Sequence, residues 1–396
     1  MKKTLMSTSC LILAFFFFLV CTGVAQAKEG EPIKIGVLAP LTGFAAAFGF
    51  PVLYTTQMWA DEVNAAGGLE VAGVKHKIEI FKEDSKFESS AAASGAEKLV
   101  HVNKVLFIHG PCSPFEFMAI APLTTSAKVI TFSYNWTAEL SSSKHPYNFN
   151  AMPSPRELAK PMFAYLKQKY PDKKRIVVMG FRDPTSEETM AVIVKAAESQ
   201  GFEVVDKVWY EISTKDYSAV ITKALAQKPD ILDFGWANPG MAGAQIKTAR
   251  GLGFKGVTMQ HTQGDLETIM SIAGDAAEGH YYLGGGADET VATDKMNKFR
   301  TEYTKRYGRW NDGAAQELYV PLMIGKGIQK AGTFADSDKV VRALETMSFT
   351  SDYVKGGPLV YFTKEADRNA VLVSPSTFVQ IQNGKEKSVT ILKEMQ

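Results

Sequence analysis

The chain has 396 residues, 45% of them hydrophobic, and carries 44 Lys and Arg against 42 Asp and Glu, a formal charge of +2. Lys2 and Lys3 fall in a targeting segment; without them the charge is near zero, which removes the main support for a nucleic-acid binder. Of three cysteines, Cys10 and Cys21 lie in the same segment, so Cys112 has no internal disulfide partner and stability must come from apolar cores, which roughly 370 residues can supply.

The opening MKKTLMSTSCLILAFFFFLVCTGVAQAKEG combines two lysines, an apolar stretch from Cys10 to about Val24 and the small-x-small run Ala25, Gln26, Ala27. This reads as an export signal over residues 1–27, too short in its apolar core for a retained membrane helix. Cys21 follows Phe18, Leu19 and Val20, not small residues, so a lipid anchor there is poorly supported. No other apolar run is long enough to span a bilayer, and once released the protein is expected to be soluble.

PIKIGVLAP (32–40) then reads as a buried strand ending in a turn, followed by helical spacing over 52–66. HKIEIFKEDS gives a second strand, 88–103 a helix, VLFIHG a third strand, 115–126 a helix and KVITFSYN the next strand. Such alternation predicts α/β architecture with parallel sheets covered on both faces. It restarts after NFNAMPSPREL: RIVVMGFRD, FEVVDKVWYE, ILDFGWANPG and GVTMQHTQGD are strand-like, with helices over 186–200, 217–227, 241–251 and 266–273. Two cycles of this length predict two domains. Long helices over 293–307, 314–331 and 337–347 and late strands in GPLVYF and NAVLVSPSTFVQIQNG complete the chain. Recrossing between lobes gives a first lobe of 28–153 plus 284–358 and a second of 154–283 plus 359–396.

Open parallel sheets carry ligand-reactive groups on loops beyond the carboxyl ends of their strands. That rule selects LTGFAAAFG, GPCSPF, SYNW, RDPTS, WANPG and HTQGD. In GPCSPF, Ser113 and the nearby amides start a helix, where unpaired N–H groups and the helix dipole hold a carboxylate without a cationic side chain. The competing reading is an ordinary cap by Ser113 ahead of Pro114. In SYNW, Ser133, Tyr134 and Asn135 supply hydroxyls and an amide, and Tyr134 or Trp136 a ring to stack on a flat ligand, with interlobe packing by Trp136 as the alternative. Trp236, beside Ala237, Asn238 and Pro239, repeats the pattern on the second cycle. It either caps a ligand or packs beneath the following helix. His261, Thr262, Gln263 and Asp265 cluster after a strand; Thr262 or Gln263 could point into a cleft, while Asp265 reads as a helix cap.

Signatures of catalysis are weak. There is no G-x-S-x-G elbow, phosphate-loop lysine motif or H-E-x-x-H pair, and the six histidines lack metal-ligand spacing. Asp84, Asp183 and Asp216 follow predicted strands without a histidine or second carboxylate beside them. Cys112, between Pro111 and Ser113, has no adjacent base and reads as a small buried residue. No enzyme activity, cofactor or metal is expected. GGGADE (284–289) marks a bend near a crossover. Tyr303, Arg306, Tyr307, Arg309 and Trp310 form an aromatic-basic cluster, but Glu302 and Asp312 interrupt its charge, and a solvated helix end is the preferred reading over a nucleic-acid surface.

PIKIGVLAPLTG, WADEVNAAGGLEVAG, FKEDSK, GPCS, SYNWTAEL and AEG (277–279), in this order and over almost the whole mature chain, resemble the periplasmic substrate-binding proteins of branched-chain amino acid ABC transporters. The resemblance implies a two-lobed, type I, Venus-flytrap fold, each lobe a mainly parallel sheet flanked by helices, with chain crossovers at a hinge. It implies a monomer that closes around a small molecule and delivers it to a membrane permease. In this family the serine after the cysteine holds the ligand carboxylate, a role that carries to Ser113, and the next loop's contributions match Ser133, Tyr134 and Asn135, the last an amide in place of threonine. The family's ammonium-binding aromatic hydroxyl and glutamate have Ala237 and Thr262 or Gln263 as approximate counterparts here. A buried ammonium without an anion is costly. A carboxylate ligand lacking an α-ammonium is therefore expected, aromatic in view of Tyr134, Trp136 and Trp236. Asp183 or Asp265 could still supply an anion, which leaves amino acid, amide and urea-like ligands open, as are a sensory module and a periplasmic hydrolase.

Overall fold

The computed structural model describes residues 30–393; the expected export signal lies outside them. The first stretch of chain supplies β1 (Ile33–Ala39), β2 (Leu69–Val71), β3 (Val74–His76), β4 (Ile78–Asp84), β5 (Phe107–His109), β6 (Ile130–Ser133) and β7 (Asn148–Asn150). The second supplies β8 (Arg175–Phe181), β9 (Glu203–Tyr210), β10 (Ile231–Asp233), β11 (Val257–Gln263) and β12 (Tyr281–Gly284). Near the end come β13 (Ser348–Thr350), β14 (Leu359–Lys364), β15 (Asn369–Val373), β16 (Ser376–Gln382) and β17 (Lys385–Leu392).

These strands form an eight-stranded sheet in the order β13-β14-β15-β7-β6-β5-β1-β4, a seven-stranded sheet in the order β17-β16-β12-β11-β10-β8-β9, and the small β2-β3 hairpin. The central pairs of each large sheet are parallel, and antiparallel strands close one edge. The near-continuous burial of β1 and β11 follows from this, since a central parallel strand is covered on both faces. Helices Ala46–Ala65 and Tyr319–Ala331 pack on the first sheet, so the helical final third does return to the first lobe.

The chain passes between lobes after β7, after β12 and again after β15. The last passage differs from the sequence expectation. β14 and β15 extend the first sheet, with Val371 of β15 opposite Asn150 of β7, so residues 359–373 belong to the first lobe. The switch falls at Ser374 and Pro375. A proline has no N–H for a ladder, and NAVLVSPSTFVQIQNG is broken there into two strands on different sheets. Among the described residues, no helix is long and apolar enough to cross a membrane.

Candidate functional site

The carboxyl ends of the parallel strands of both sheets converge on one cleft, as expected for open α/β sheets. About 680 Å³ of space, including open solvent at its mouth, lies between its walls. After β5 come Cys112, Ser113, Pro114 and Phe115; after β6, Tyr134, Asn135 and Trp136; after β8, Asp183, Thr185 and Thr189; after β10, Trp236; and from the end of β11, Thr262 and Gln263. Phe48, Phe87, Met152, Phe181 and Glu317 complete the lining.

Ser113 is the helix cap of the competing reading, the N-cap of helix Pro114–Ser126 with Pro114 in the first position, and it also faces the cleft. Its Oγ accepts from the Glu116 backbone N–H at 3.3 Å and donates to Glu116 Oε2 at 2.7 Å. Asn135 is fixed by its Nδ2, which donates to Ser133 Oγ at 3.1 Å, and by its backbone N–H, which donates to Asn150 Oδ1 at 3.2 Å. Trp236 packs edge-on against Phe181 and Trp209, with ring centroids 5.7 and 6.0 Å away, and its buried Nε1 has no hydrogen-bond partner. The ring lies over Gly180, where a Cβ would overlap it.

Seven of the expected site residues thus meet: Ser113, Tyr134, Asn135, Trp136, Trp236, Thr262 and Gln263. Three do not reach the cleft. Ser133 turns its hydroxyl to Asn148 Oδ1 at 2.9 Å, inside the first sheet. His261 points the other way from Thr262, as strand alternation requires, and meets Asp233 Oδ2 at 2.8 Å in the core of the second lobe. Ala237 contributes its carbonyl oxygen, which accepts from Thr262 Oγ1 and from Gln260 Nε2.

The principal residue that sequence reasoning missed is Glu317, at the end of the short helix Ala314–Glu317. It is 2% exposed. The Tyr134 hydroxyl donates to its Oε2, and Gln263 Nε2 donates to its Oε1 at 2.7 Å, so one carboxyl joins the two lobes at the cleft floor. His109 Nε2 lies 3.0 Å from the Tyr134 hydroxyl and 3.3 Å from Glu317 Oε2, and His109 Nδ1 lies 2.8 Å from Thr56 Oγ1. Burial pushes the Glu317 carboxyl well above the usual range and lowers His109 to about 3, so burial favours the neutral form of each.

Asp183 is the second acid of the cleft. The Thr185 N–H and hydroxyl donate to its Oδ1 at 2.7 and 2.8 Å, leaving Oδ2 over, and burial raises its carboxyl. Asp265 is spent elsewhere, in a two-pronged pair with Arg309 at 2.8 and 2.8 Å; it begins helix Leu266–Ala273 without a side-chain bond to that helix's N–H groups. The aromatic-basic cluster is solvated only in part: Arg306 is exposed and pairs with Asp61 at 2.7 Å, while Tyr303 is buried and Tyr307 stacks on Tyr54 at 3.7 Å. Cys112 is a partly exposed free thiol, pushed well up by burial and by the acids Glu116 and Glu317, the opposite of an activated nucleophile. Among the described residues, no three His, Cys, Asp or Glu converge to hold a metal ion.

The family model described as "Periplasmic binding protein" matches residues 32–386 of this chain. The chain belongs to the periplasmic binding protein family. Several of the relatives it resembles are named as branched-chain amino acid binding proteins. The leucine-, isoleucine-, valine-, threonine- and alanine-binding protein of Pseudomonas aeruginosa is 25% identical over 352 residues, 88% of this chain and 91% of the relative. Among solved structures, a leucine-binding protein from Thermotoga maritima superposes with a TM-score of 0.75 at 22% identity, covering 91% of this chain and 99% of the other. A solute-binding protein of an ABC transporter from R. palustris, solved with benzoate, also gives 0.75, at 17% identity, covering 92% and 97%. Periplasmic binding proteins of this type capture a small molecule for an ABC permease, and the cleft between the two sheets is where such a capture can occur.

Proposed function

We propose that this protein is a non-catalytic solute-binding component of an ABC importer that captures an amphoteric small molecule, an α-amino acid with an apolar or aromatic side chain. One observation carries the reading: the cleft is lined by two carboxyl side chains, Asp183 and Glu317, and by no Lys, Arg or His. A plain carboxylate entering there would meet only acids and neutral donors. An amino group supplies the missing positive partner, with Asp183 Oδ2 as its first acceptor. The ligand carboxylate is assigned to Ser113 and the loop 133–136, at the amino end of helix Pro114–Ser126. Trp136, Phe181 and Trp236 wall the remainder, gaining about 25 cal/mol per Å² of apolar surface removed from water.

The aromatic carboxylate expected from sequence remains the second reading, favoured by the number of rings in the lining and by the benzoate complex of the R. palustris neighbour. A matched set separates the two: L-phenylalanine, phenethylamine and hydrocinnamate, together with L-isoleucine, titrated calorimetrically into the mature protein. The amino acids are expected to bind tightest, with each truncated compound weaker and Asp183→Asn selectively weakening the compounds that carry an amine. Hydrocinnamate binding as tightly as L-phenylalanine would sink the amphoteric reading. Recovery of bound ligand chemically unchanged supports capture over hydrolysis.

A further inference from the structure

Glu116, just behind Ser113, is placed more deeply than a helix cap requires. Its side chain is 0% exposed. Oε2 receives the Ser113 hydroxyl hydrogen at 2.7 Å, while Oε1 has no hydrogen-bond partner. The hydroxyl of Ser85, which acts on this carboxyl, is likewise buried and unpartnered. The titratable groups facing Glu116 are Asp84, at the end of β4, and Cys112, itself under the influence of Glu317. The packed helix Ser89–Glu97 buries Ala92, Gly95 and Ala96, and β6 consists of Ile130, Thr131, Phe132 and Ser133, so neither brings a buried cation.

A serine hydroxyl carries a single hydrogen. While Glu116 is ionised, that hydrogen is committed to it, and a ligand carboxylate at Ser113 would face a lone pair backed by a like charge. A proton on Glu116 changes both terms: the acid O–H donates to Ser113 Oγ, and the serine hydrogen is released to the cleft. Resting on the reading that the ligand carboxylate lodges at Ser113, we infer that Glu116 is a positioning residue whose protonation turns the Ser113 hydroxyl toward the ligand, so that capture of a carboxylate takes up one proton from solvent. Burial is the largest influence on Glu116, outweighing the opposing pull of the Ser113 hydrogen bond and of the nearby Ser85 hydroxyl and Cys112 backbone, and raising it to about 7. An orphaned buried oxygen is costly on a carboxylate and tolerable on a neutral acid, which agrees with that direction.

Affinity for a carboxylate ligand should therefore fall by about 25-fold between about pH 6.5 and about pH 8.5, the ratio of protonated fractions for a group titrating at about 7. The test is calorimetric titration of the mature protein across that range, in buffers of different ionisation enthalpy, with benzoate, which brings no ammonium to ionise Asp183 or Glu317, and with L-phenylalanine, for which the Glu116 contribution is the difference between wild type and Glu116→Gln. Wild type is expected to show the loss and to take up a proton on binding. Glu116→Gln, whose amide always donates to Ser113, is expected to bind benzoate with no pH dependence, and Ser113→Ala to bind it weakly at every pH. A flat wild-type profile with Ser113→Ala still impaired overturns the role of Glu116 and spares Ser113. Ser113→Ala binding like wild type removes the carboxylate site itself. Infrared difference spectra of the unliganded protein give a readout independent of any probe: a carboxylic-acid band titrating near neutrality and missing in Glu116→Gln supports the inference, and an ionised Glu116 throughout that range overturns it.

Discussion

Replacing Glu317 separates its hydrogen-bonding role from any role of its charge. In Glu317→Ala, the Tyr134 hydroxyl and Gln263 Nε2 lose a common acceptor. A buried donor left unpaired costs about 1–3 kcal/mol; Tyr134 can still turn to His109 Nε2, so the loss falls mainly on Gln263 Nε2 and about 1–3 kcal/mol is expected, less where water enters the vacated space. Glu317→Gln keeps the shape and one carbonyl acceptor, and Tyr134 retains His109 Nε2 at 3.0 Å as a second partner. Because burial favours the neutral carboxyl, the amide should cost under about 1.5 kcal/mol in the unliganded protein. Urea unfolding followed by tryptophan fluorescence at neutral pH measures both, since Trp136 and Trp236 border the affected floor. Glu317→Ala within about 0.5 kcal/mol of wild type would refute the claim that this carboxyl joins the lobes. Glu317→Gln as damaging as Glu317→Ala would refute its neutrality.

Gly180→Ala should push the Trp236 ring into the cleft, because Phe181 and Trp209 flank it; a stability loss of about 1–3 kcal/mol and weakened ligand binding are expected, and unchanged melting and binding would contradict the packing. Glu188 on the second lobe accepts from Thr137 Oγ1 and from the Ala138 N–H of the first, so Glu188→Ala should open the unliganded protein and enlarge its radius of gyration in solution scattering. Stability should also vary with pH in a worked direction. His109 and His280, held at about 3, bind protons in the unfolded chain but not in the folded one, so stability is lost as pH falls below about 6.5. Glu116 and Glu365, raised to about 7, and Glu317, raised further, keep protons that the unfolded chain releases above about 4.5, so stability is lost as pH rises from there through about 7. The acids outnumber the histidines, which puts the optimum near about pH 5; an optimum above neutrality in thermal melts would show that these acids ionise in the folded protein.

The strand-helix alternation and the cleft loops were legible because both are local. Apolar runs such as IKIGVLA, bounded by turn residues, fix buried strands, and the ends of those strands name the loops. What escaped were matters of side-chain direction and long-range pairing. Ser133 is the last residue of β6 and follows the strand's alternation into Asn148, whereas Tyr134, one residue on, faces the cleft. Glu317 gives no local sign at all: in AAQEL it reads as one more helical acid, and its partners Gln263 and Tyr134 lie 54 and 183 residues earlier. The weighing of Asp265 against Asp183 was likewise beyond the sequence, since Arg309, 44 residues downstream, takes Asp265 out of the site.

Glu317 also bears on how a cleft of this kind would recognise charge. On the proposed reading, the empty cleft keeps Glu317 and Asp183 out of water, and that burial shifts both carboxyls upward, toward their neutral forms. An entering ammonium reverses the balance, because its attraction for an ionised carboxylate grows as closure excludes water and lowers the local dielectric. A ligand without that cation has no such gain and must bind against acids kept neutral. Glu317 touches Gln263 of one lobe and Tyr134 of the other, so the gain is largest when the lobes are together. Differential stabilisation of the closed form by the correct ligand is the condition for ligand-driven closure. Small-angle scattering of Glu317→Gln with L-phenylalanine therefore carries a definite expectation: binding weakened, and a smaller closed fraction at equal ligand concentration than in wild type. Equal closed fractions at equal concentration would assign that coupling to Asp183 alone.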